Sequence, residues 1–281
     1  MSSFQPVNLR TIKFLFWNIH KNPDNITRIL KLATEREVHV IALCEATDIT
    51  SIMIDKSSYR KIDYINQSDS HNIELLVNKS ATETINYYTE KRRYNIVYLH
   101  EWNIILAIAH LNSDRTTGAK DYRASDISNM LKAIERLEND LKTKRTIVIG
   151  DLNIGLFDEQ MLAFSGLNAR LFLSEMKMYS CLHEDKKDCF YNPMLNIYQD
   201  SENDSIANGT YYYDGAPEKW CCYDHVMMKL PLVDQLIKNK LEIISSIGTE
   251  QLIKNSKPVQ SISDHLPIYF EINEQGGNNN V

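Results

Sequence analysis

The chain has 281 residues and a net charge of −6, with 43% hydrophobic and 24% charged residues. This is the composition of an ordinary globular protein, which excludes a disordered or fibrous chain. The negative charge argues against a protein that holds nucleic acid mainly through a basic surface, although clustered carboxylates that bind cations remain compatible with phosphate chemistry.

The sequence contains no targeting or membrane signal that we can identify. No run approaches the roughly 18 uninterrupted apolar residues of a membrane span, and residues 1–6 lack the basic and apolar segments of a signal peptide. Five cysteines, an odd number without framework spacing, fit a reducing compartment. We therefore expect a cytoplasmic protein that does not associate with membranes.

The first half of the chain begins with a β-α-β pattern. Residues 11–19 and 38–44 are continuous apolar strands, and residues 24–36 between them have helical spacing of apolar side chains. Further strand patterns follow without long helices between them, at 59–65, 72–79, 84–90, 94–100 and 103–110. The sheets are therefore predicted to be mixed rather than purely parallel.

The second half contains two predicted helices and three predicted strands. The helices are expected at 121–142 and at 157–176, beginning near Asp158, and the strands at 145–150, 223–230 and 266–272. Residues 179–222 have no regular pattern and include an Asn208-Gly209 turn; so long a segment is typical of a specificity loop. We predict a single domain over residues 1–273 and a disordered tail over 274–281.

Polar residues with metal-ligand chemistry lie at the ends of the buried strands. They are Asn18, Glu45, His110, the pair Asp151 and Asn153, and the pair Asp264 and His265. Oxygen ligands suit a hard cation such as Mg²⁺. Imidazoles can donate hydrogen bonds or positive charge to a phosphate, and Asp224 could orient one of them. These residue types suffice for metal-assisted phosphoryl transfer.

The order of these motifs resembles the endonuclease/exonuclease/phosphatase superfamily, which includes pancreatic-type deoxyribonucleases, abasic-site endonucleases, neutral sphingomyelinases and inositol polyphosphate phosphatases. The resemblance spans residues 12–272 and looks like a bacterial-type branch. The matching motifs are Trp17-Asn18-Ile19, Cys44-Glu45, Ala109-His110-Leu111, Gly150-Asp151-Leu152-Asn153, Tyr223-Asp224-His225 and Ser263-Asp264-His265.

The resemblance implies an α/β (α+β) fold, a four-layer α/β/β/α sandwich of two mixed sheets flanked by helices. It implies that Mg²⁺ or Mn²⁺ is bound by Glu45, with Asn18 beside it and Asp264 completing this site or holding a second one. It also implies that Asp151 orients or deprotonates the attacking water, and that Asn153 positions the phosphate or that aspartate. His265, held by Asp224, would contact the scissile phosphate, with His110 on its other side.

Substrate-binding residues are less well defined by the sequence. Tyr211 and Tyr213 could stack on bases or sugars, or they could belong to a strand of alternating buried and exposed residues; the sequence favours neither alternative. Arg123, Asn192 and the basic run 90–93 are further candidates, with solvated surface positions as the alternative for the charged residues.

The loop His20-Lys21-Asn22 departs from members of the superfamily that have a glycine there. Cys181, His183, Cys189, Cys221 and Cys222 do not repeat a known zinc-ligand spacing, which favours ordinary thiols.

The leading hypothesis is a Mg²⁺-dependent phosphodiester hydrolase, specifically an endonuclease or exonuclease that acts on DNA or RNA. The alternative is a phosphatase or phosphodiesterase of small phosphorylated metabolites or cyclic nucleotides, which the acidic charge favours. A third hypothesis, a binding protein without activity, is disfavoured because the set of acids and histidines is complete.

Overall fold

The structure of the protein, a computed structural model, describes residues 10–46, 51–62, 73–81, 85–90, 93–182, 188–201 and 203–274. For residues 51–52, 87–90 and 179–182 it describes the backbone alone. Several sequence predictions therefore lie outside the described residues. They are the tail 275–281, the residues Lys91, Arg92 and His183, and the side chain of Cys181.

The helices and strands are numbered along the chain. The helices are α1 (Asn25–Arg36), α2 (Ser51–Asp55), α3 (Ala119–Leu141), α4 (Glu159–Leu162), α5 (Leu173–Leu182) and α6 (Leu230–Val233). The strands are β1 (Thr11–Asn18), β2 (Val40–Cys44), β3 (Tyr59–Lys61), β4 (Ile73–Asn78), β5 (Ile85–Glu90), β6 (Tyr94–Leu99), β7 (Ile104–His110), β8 (Thr146–Asp151), β9 (Ala169–Arg170), β10 (Phe190–Tyr191), β11 (Tyr211–Tyr212), β12 (Trp220–Cys221), β13 (Asp224–Met228), β14 (Glu242–Ile243), β15 (Ser246–Ile247), β16 (Glu250–Gln251), β17 (Ile253–Lys254), β18 (Lys257–Pro258) and β19 (Ile268–Asn273). Short 3-10 helices cover His100–Trp102, Pro193–Asn196 and Lys238–Lys240.

Two mixed sheets contain most of the strands. Among the described residues, the first sheet has the order β14-β19-β1-β2-β4-β3 and the second the order β5-β6-β7-β8-β13-β10-β9. In the first sheet β1 is parallel to β2 and antiparallel to β19. In the second sheet β7 is parallel to β8, which is antiparallel to β13. The predicted mixed arrangement is confirmed.

The core lies between the two sheets and between each sheet and its helix. Side chains alternate along β1, so Phe14 and Phe16 face the second sheet while Leu15 and Trp17 pack with the apolar face of α1. On the other side, α3 packs its buried apolar face against the outer surface of β6, β7 and β8. Strands buried on both faces explain the continuous apolar runs of the sequence. The result is the predicted layering of helix, sheet, sheet and helix.

The prediction of one helix over residues 157–176 was wrong. The chain forms the short helix α4, leaves the helical conformation at Ala163 and returns to a helix only at Leu173. Between them, Ala169 pairs with Phe190 at the edge of the second sheet, where both side chains are buried. Burial in the sheet therefore outweighs local helix propensity. No helix in the described part of the chain is both long and apolar enough to cross a membrane.

Candidate active site

Strand register brings the predicted polar residues to one end of the two sheets. Asn18 pairs with Cys44 across the parallel strands β1 and β2, so Glu45 follows directly beside Asn18. His110 pairs with Asp151 across β7 and β8 in the same way. Asp224 pairs with Asp151 across β8 and β13. The ends of both sheets therefore present acids, amides and imidazoles to one pocket.

Asp151 is at the centre of this group and is only 2% exposed. Its Oδ2 accepts a hydrogen bond from the Asn18 amide at 2.9 Å, and its Oδ1 accepts one from the backbone N–H of Asn153 at 3.1 Å. The Nε2 atoms of His110 and His265 each lie 3.8 Å from the same Oδ2. The carboxylate is thus oriented from two sides and faced by two imidazoles.

His265 is held by Asp224 in a buried pair. The ring Nδ1–H donates to Asp224 Oδ2 at 2.8 Å, which directs Nε2 towards Asp151. Asp224 is itself fixed because its backbone N–H donates to the hydroxyl of Thr210, as does that of Tyr223. This arrangement matches the predicted partnership of Asp224 with His265, and it adds Thr210 as a residue that the sequence did not single out.

The two groups that face each other, Asp151 and His265, have shifted pKa values. Burial raises the pKa of Asp151 to about 7, although His265 and the hydrogen bond from Asn18 act in the opposite direction. Burial alone would lower the pKa of His265, but the carboxylates of Asp224 and Asp151 outweigh it and raise the value to about 10. Burial lowers the pKa of His110 to about 4. His265 is therefore a cation near neutral pH, whereas His110 is neutral.

Glu45 and Asp264 line the pocket on the side of the first sheet. The Asn18 amide is 3.4 Å from Glu45 Oε1, and His110 Nε2 lies 3.7 Å from the same oxygen. On the other side, His20 Nδ1 lies 3.1 Å from Asp264 Oδ1. His20 and Glu45 both have φ near +50°, an uncommon conformation for residues with side chains. Backbone strain of this kind is concentrated at functional sites.

The donor set fits a hard divalent cation. Asp151, Asp224 and His265 offer ligand atoms within 4.8 Å of one another, so this buried group could hold a metal. The hydrogen bond between Asp224 and His265 joins His265 Nδ1 to Asp224 Oδ2, which leaves His265 Nε2 and Asp224 Oδ1 as the other candidate ligand atoms. Glu45 and Asp264 supply the remaining carboxylate oxygens of the pocket. Asp264 Oδ1 is buried, and although His20 Nδ1 lies 3.1 Å away, the pair does not have hydrogen-bond geometry. Carboxylate oxygens of this kind are the ligands that Mg²⁺ prefers.

The predicted task of Asn18 as a metal ligand does not agree with its orientation. Its amide nitrogen donates towards Asp151 and Glu45, while its Oδ1 accepts a hydrogen bond from the backbone of His20. An amide between two carboxylates must present its nitrogen to them, because they can only accept. Asn18 therefore orients the acids. Asn153 lines the pocket and also donates from its side chain to the Leu111 carbonyl.

The open pocket above these residues has a volume of about 260 Å³. Its wall contains Tyr211, whose ring centroid lies 4.5 Å from that of His265. The Tyr211 ring also stacks on the Tyr223 ring, with centroids 5.4 Å apart. Two arginines, Arg93 and Arg115, line the same pocket. Arg93 ends the basic run of the sequence, so its possible role in phosphate binding had a sequence signal. Arg115 had none beyond its charge.

Two predicted substrate-binding residues are buried away from the pocket. Arg123 is 2% exposed, and its guanidinium donates to Asn112, Asp114 and Gln160. Asn192 is fully buried, and its amide bonds the ring of His225 and the backbone of Met194. Both side chains have their polar groups used inside the protein, so neither is placed to contact a substrate. Tyr213 does not line the pocket either; it is 43% exposed and contacts the guanidinium of Arg115.

Comparison with known proteins gives structural neighbours only. No protein-family profile and no curated protein matches the sequence. A truncated TDP2 from Caenorhabditis elegans is similar over 94% of this chain and 97% of that chain, with 16% identity and a TM-score of 0.56. The 3′ phosphatase NExo from Neisseria, bound to a product DNA hairpin, is similar over 93% and 99%, with 12% identity and a TM-score of 0.55. An AP endonuclease from Archaeoglobus fulgidus is similar over 92% and 98%, with 12% identity and a TM-score of 0.53.

These similarities extend over more than nine-tenths of each chain, but their sequence identity is low. At 12–16% identity they establish the fold and not the activity. The two-sheet sandwich of this chain is the fold of the endonuclease/exonuclease/phosphatase superfamily, as the sequence resemblance implied.

Proposed function

We propose that this chain, which has the endonuclease/exonuclease/phosphatase fold, is a Mg²⁺-dependent phosphodiester hydrolase that cleaves nucleic acid. The observation that carries the proposal is the buried Asp151, which is oriented by Asn18 and Asn153 and faces the cationic His265 across 3.8 Å. The three structural neighbours described above are named as a TDP2, a 3′ phosphatase and an AP endonuclease, which supports the same class of chemistry.

Asp151 is proposed to act as the general base. A base works best when its pKa is near the working pH, and burial raises the pKa of Asp151 to about 7. It would accept the proton of a water molecule whose oxygen forms the new bond to phosphorus, as the bond to the leaving oxygen breaks. Asn18 and Asn153 hold its two oxygens, so the carboxylate needs little reorganisation before it reacts.

His265 is proposed to stabilise the negative charge that develops on the phosphoryl oxygens. Asp224 fixes its Nδ1, so the Nε2–H remains available to the pocket. His110 approaches from the second sheet and stays neutral, since burial lowers its pKa to about 4. It can therefore donate one hydrogen bond without adding charge beside Glu45.

Glu45 and Asp264 are the residues that we propose hold Mg²⁺, with Asn18 orienting Glu45. Mn²⁺ takes similar oxygen ligands and is the alternative. The bound ion would neutralise charge on the phosphate as a Lewis acid. The ligand assignment predicts that Glu45→Gln and Asp264→Asn each weaken Mg²⁺ binding in calorimetric titration.

A second candidate is a phosphodiesterase or phosphatase of small phosphorylated metabolites or cyclic nucleotides. Two observations favour it. The pocket, at about 260 Å³, is at the small end for ligand sites, and the net charge of −6 disfavours strong contact with a long polyanion. Salt separates the candidates, because binding that neutralises several phosphates weakens steeply as salt rises and binding of a small metabolite weakens little.

The test is hydrolysis by wild-type protein and Asp151→Asn with Mg²⁺, Mn²⁺ or EDTA. The substrates are plasmid DNA, single-stranded DNA and RNA oligonucleotides, and generic phosphate monoesters and diesters. Metal-dependent cleavage of nucleic acid that Asp151→Asn loses supports the first candidate. Turnover of the small esters alone supports the second.

Asp140→Asn is a matched control, because it makes the same carboxylate-to-amide change on an exposed turn of α3. It should keep wild-type activity on every substrate. If Asp151→Asn retains metal-dependent hydrolysis at the level of Asp140→Asn, the proposed mechanism is wrong.

A further inference from the structure

Arg115 is an exposed arginine at the rim of the candidate active site, in the turn between β7 and α3. One of its guanidinium nitrogens donates to the hydroxyl of Tyr211 at 3.2 Å. Tyr211 in turn lies against His265, with ring centroids 4.5 Å apart. Arg115 is thus connected to the site through the far end of the Tyr211 ring.

The guanidinium of Arg115 also packs against the ring of Tyr213. The central carbon of the Arg115 guanidinium lies 4.5 Å from the Tyr213 ring centroid, a cation–π contact. The Tyr213 ring lies close over Gly215, where an added Cβ would be 2.6 Å from the ring. Any side chain at position 215 would therefore displace this ring. Arg115 is held in one place although it is exposed, so binding an anion costs it little side-chain entropy.

Arg123 fixes the segment that presents Arg115. It donates to the Asn112 carbonyl at 2.8 Å and pairs with Asp114 at 2.6 Å. Asp114 is the chain neighbour of Arg115, and its pairing with Arg123 leaves no carboxylate within ion-pair distance of Arg115 among the described residues. The guanidinium has five N–H donors, and it forms one hydrogen bond to a described residue.

We propose that Arg115 binds a second phosphate of the substrate, next to the scissile one, and that Tyr211 and Tyr213 are its positioning residues. An arginine with unused donors and no carboxylate partner is suited to bidentate recognition of phosphate. It lies one tyrosine ring away from His265, so it reaches beyond the group that faces the scissile phosphate. A nucleic-acid strand supplies such a neighbouring phosphate. The proposal rests on the function proposed above and names its substrate class.

Tyr213 consequently has a different task from the predicted base stacking. The Arg115 guanidinium covers one face of the Tyr213 ring, so a base cannot stack on that face. Tyr213→Phe retains this ring and should behave as wild type, whereas Tyr213→Ala releases the guanidinium and should weaken binding several-fold.

The experiment measures the binding of a fluorescently labelled oligothymidine to Asp151→Asn protein, with and without Arg115→Ala, as a function of salt. Removing one contact between a charged donor and phosphate should raise the Kd about tenfold. It should also reduce the slope of log Kd against log salt by about 0.7. Arg136→Ala, which removes one positive charge from an exposed part of α3, is the matched control and should change neither value.

Kinetics with the active protein then test which phosphate is bound. For Arg115→Ala, kcat/KM for the oligonucleotide should fall about tenfold relative to kcat/KM for bis(4-nitrophenyl) phosphate, which has one phosphate only, with the loss in KM. An equal loss on both substrates would mean that Arg115 contacts the scissile phosphate and would overturn the proposal.

The phosphate-binding role of Arg115 and the hydrolase activity of the protein are tested by different results. Unchanged binding and an unchanged salt slope in Arg115→Ala, or an absence of oligonucleotide binding by the parent protein, would overturn the inference about Arg115. If the wild type hydrolyses no phosphodiester but Arg115→Ala still weakens oligonucleotide binding, the proposed hydrolase function fails and the phosphate-binding role of Arg115 stands.

Discussion

Each end of strand β8 has a charged cluster built around a buried carboxylate, Glu138 at one end and Asp151 at the other. At the beginning of the strand, Glu138 and Asp188 each bond both Lys144 and Lys229, at distances of 2.7–3.0 Å. Thr146, the first residue of β8, donates to the second oxygen of Glu138. In this structural cluster two carboxylates are matched by two ammonium groups.

At the other end of β8, Arg93 and Arg115 line the pocket, but none of the carboxylates has a lysine or arginine within ion-pair distance among the described residues. Asp151, Asp224, Asp264 and Glu45 surround two imidazoles, of which His110 is neutral because burial lowers its pKa. Asp224 Oδ1 and Asp264 Oδ1 accept no hydrogen bond from any described residue. The structural cluster is complete by itself, whereas the candidate active site has acceptors left for a cation or a substrate. Direct pairing of each carboxylate with ammonium groups distinguishes the structural cluster from the candidate active site.

The largest expected effect of this difference is on activity. Asp151→Asn should lower kcat on any substrate that the wild type cleaves by about a thousandfold, which is within the range for losing a general base. Its free energy of unfolding near neutral pH should equal or exceed that of the wild type, because burial of the charged form is unfavourable at this position. Steady-state kinetics and denaturant unfolding measure the two quantities. A large loss of stability in Asp151→Asn would mean that this end of β8 is a structural cluster as well.

The same carboxylate-to-amide change at the other end of β8 should act in the opposite way. Glu138→Gln leaves Lys229, which is 6% exposed, with a weakened partner. Breaking a buried ion pair by removing one charge costs about 3 kcal/mol. The free energy of unfolding should fall by about this amount in urea titration, while kcat of the folded protein stays at the wild-type value. A matching fall in kcat would show that the two ends are coupled through β8.

The two clusters should also respond to pH with opposite signs. The pKa of Asp151 is raised from 3.8 to about 7, so between these values the unfolded chain releases a proton that the folded protein keeps, and the group destabilises the fold increasingly as pH rises. For Asp188, burial alone would raise the pKa, but hydrogen bonds from Lys144 and Lys229 outweigh it and lower the pKa. Its stabilising contribution is present above the unfolded value and is lost as pH falls through the folded pKa.

The measurement is the pH dependence of unfolding for wild type, Asp151→Asn and Asp188→Asn. Relative to the wild type, Asp151→Asn should gain stability by up to about 1 kcal/mol per pH unit as pH rises from 4 towards 7. Asp188→Asn should instead lose stability relative to the wild type at neutral pH and approach it in acid. Parallel curves for Asp151→Asn and the wild type would contradict the raised pKa.

The smallest expected effect is that of the metal on stability. Mg²⁺ that binds only the folded protein should raise Tm by a few degrees at concentrations well above its Kd. Glu45→Gln should abolish this shift, whereas Glu138→Gln should keep it, since its lysine partners already compensate the structural cluster. Thermal unfolding with and without Mg²⁺ gives the answer. If Glu138→Gln loses the rise in Tm with Mg²⁺ and Glu45→Gln retains it, the cation binds at the structural cluster and not at the candidate active site.

Most of the fold was predictable because its strands are local features. Buried strands produce apolar runs that need no partner to be recognised, and β1, β2, β7 and β8 lie where these runs predicted them. The region from 157 to 176 was not predictable in this way. Its short strand β9 exists only because Ala169 pairs with Phe190 at the edge of the second sheet, and that contact joins distant parts of the chain.

The sequence by itself determined which residues end the buried strands, and therefore that Asn18, Glu45, His110 and Asp151 belong to one edge of the protein. The position of a residue along a strand determines where its Cα and Cβ atoms lie. Only the tertiary structure decided where arginines and tyrosines point. Arg115 and Arg123 are eight residues apart and equally charged in the sequence, yet the first reaches the pocket and the second is buried against Asp114. A long side chain takes its direction from the groups that surround it, and for Arg115 these are Tyr211 and Tyr213, almost a hundred residues further along the chain.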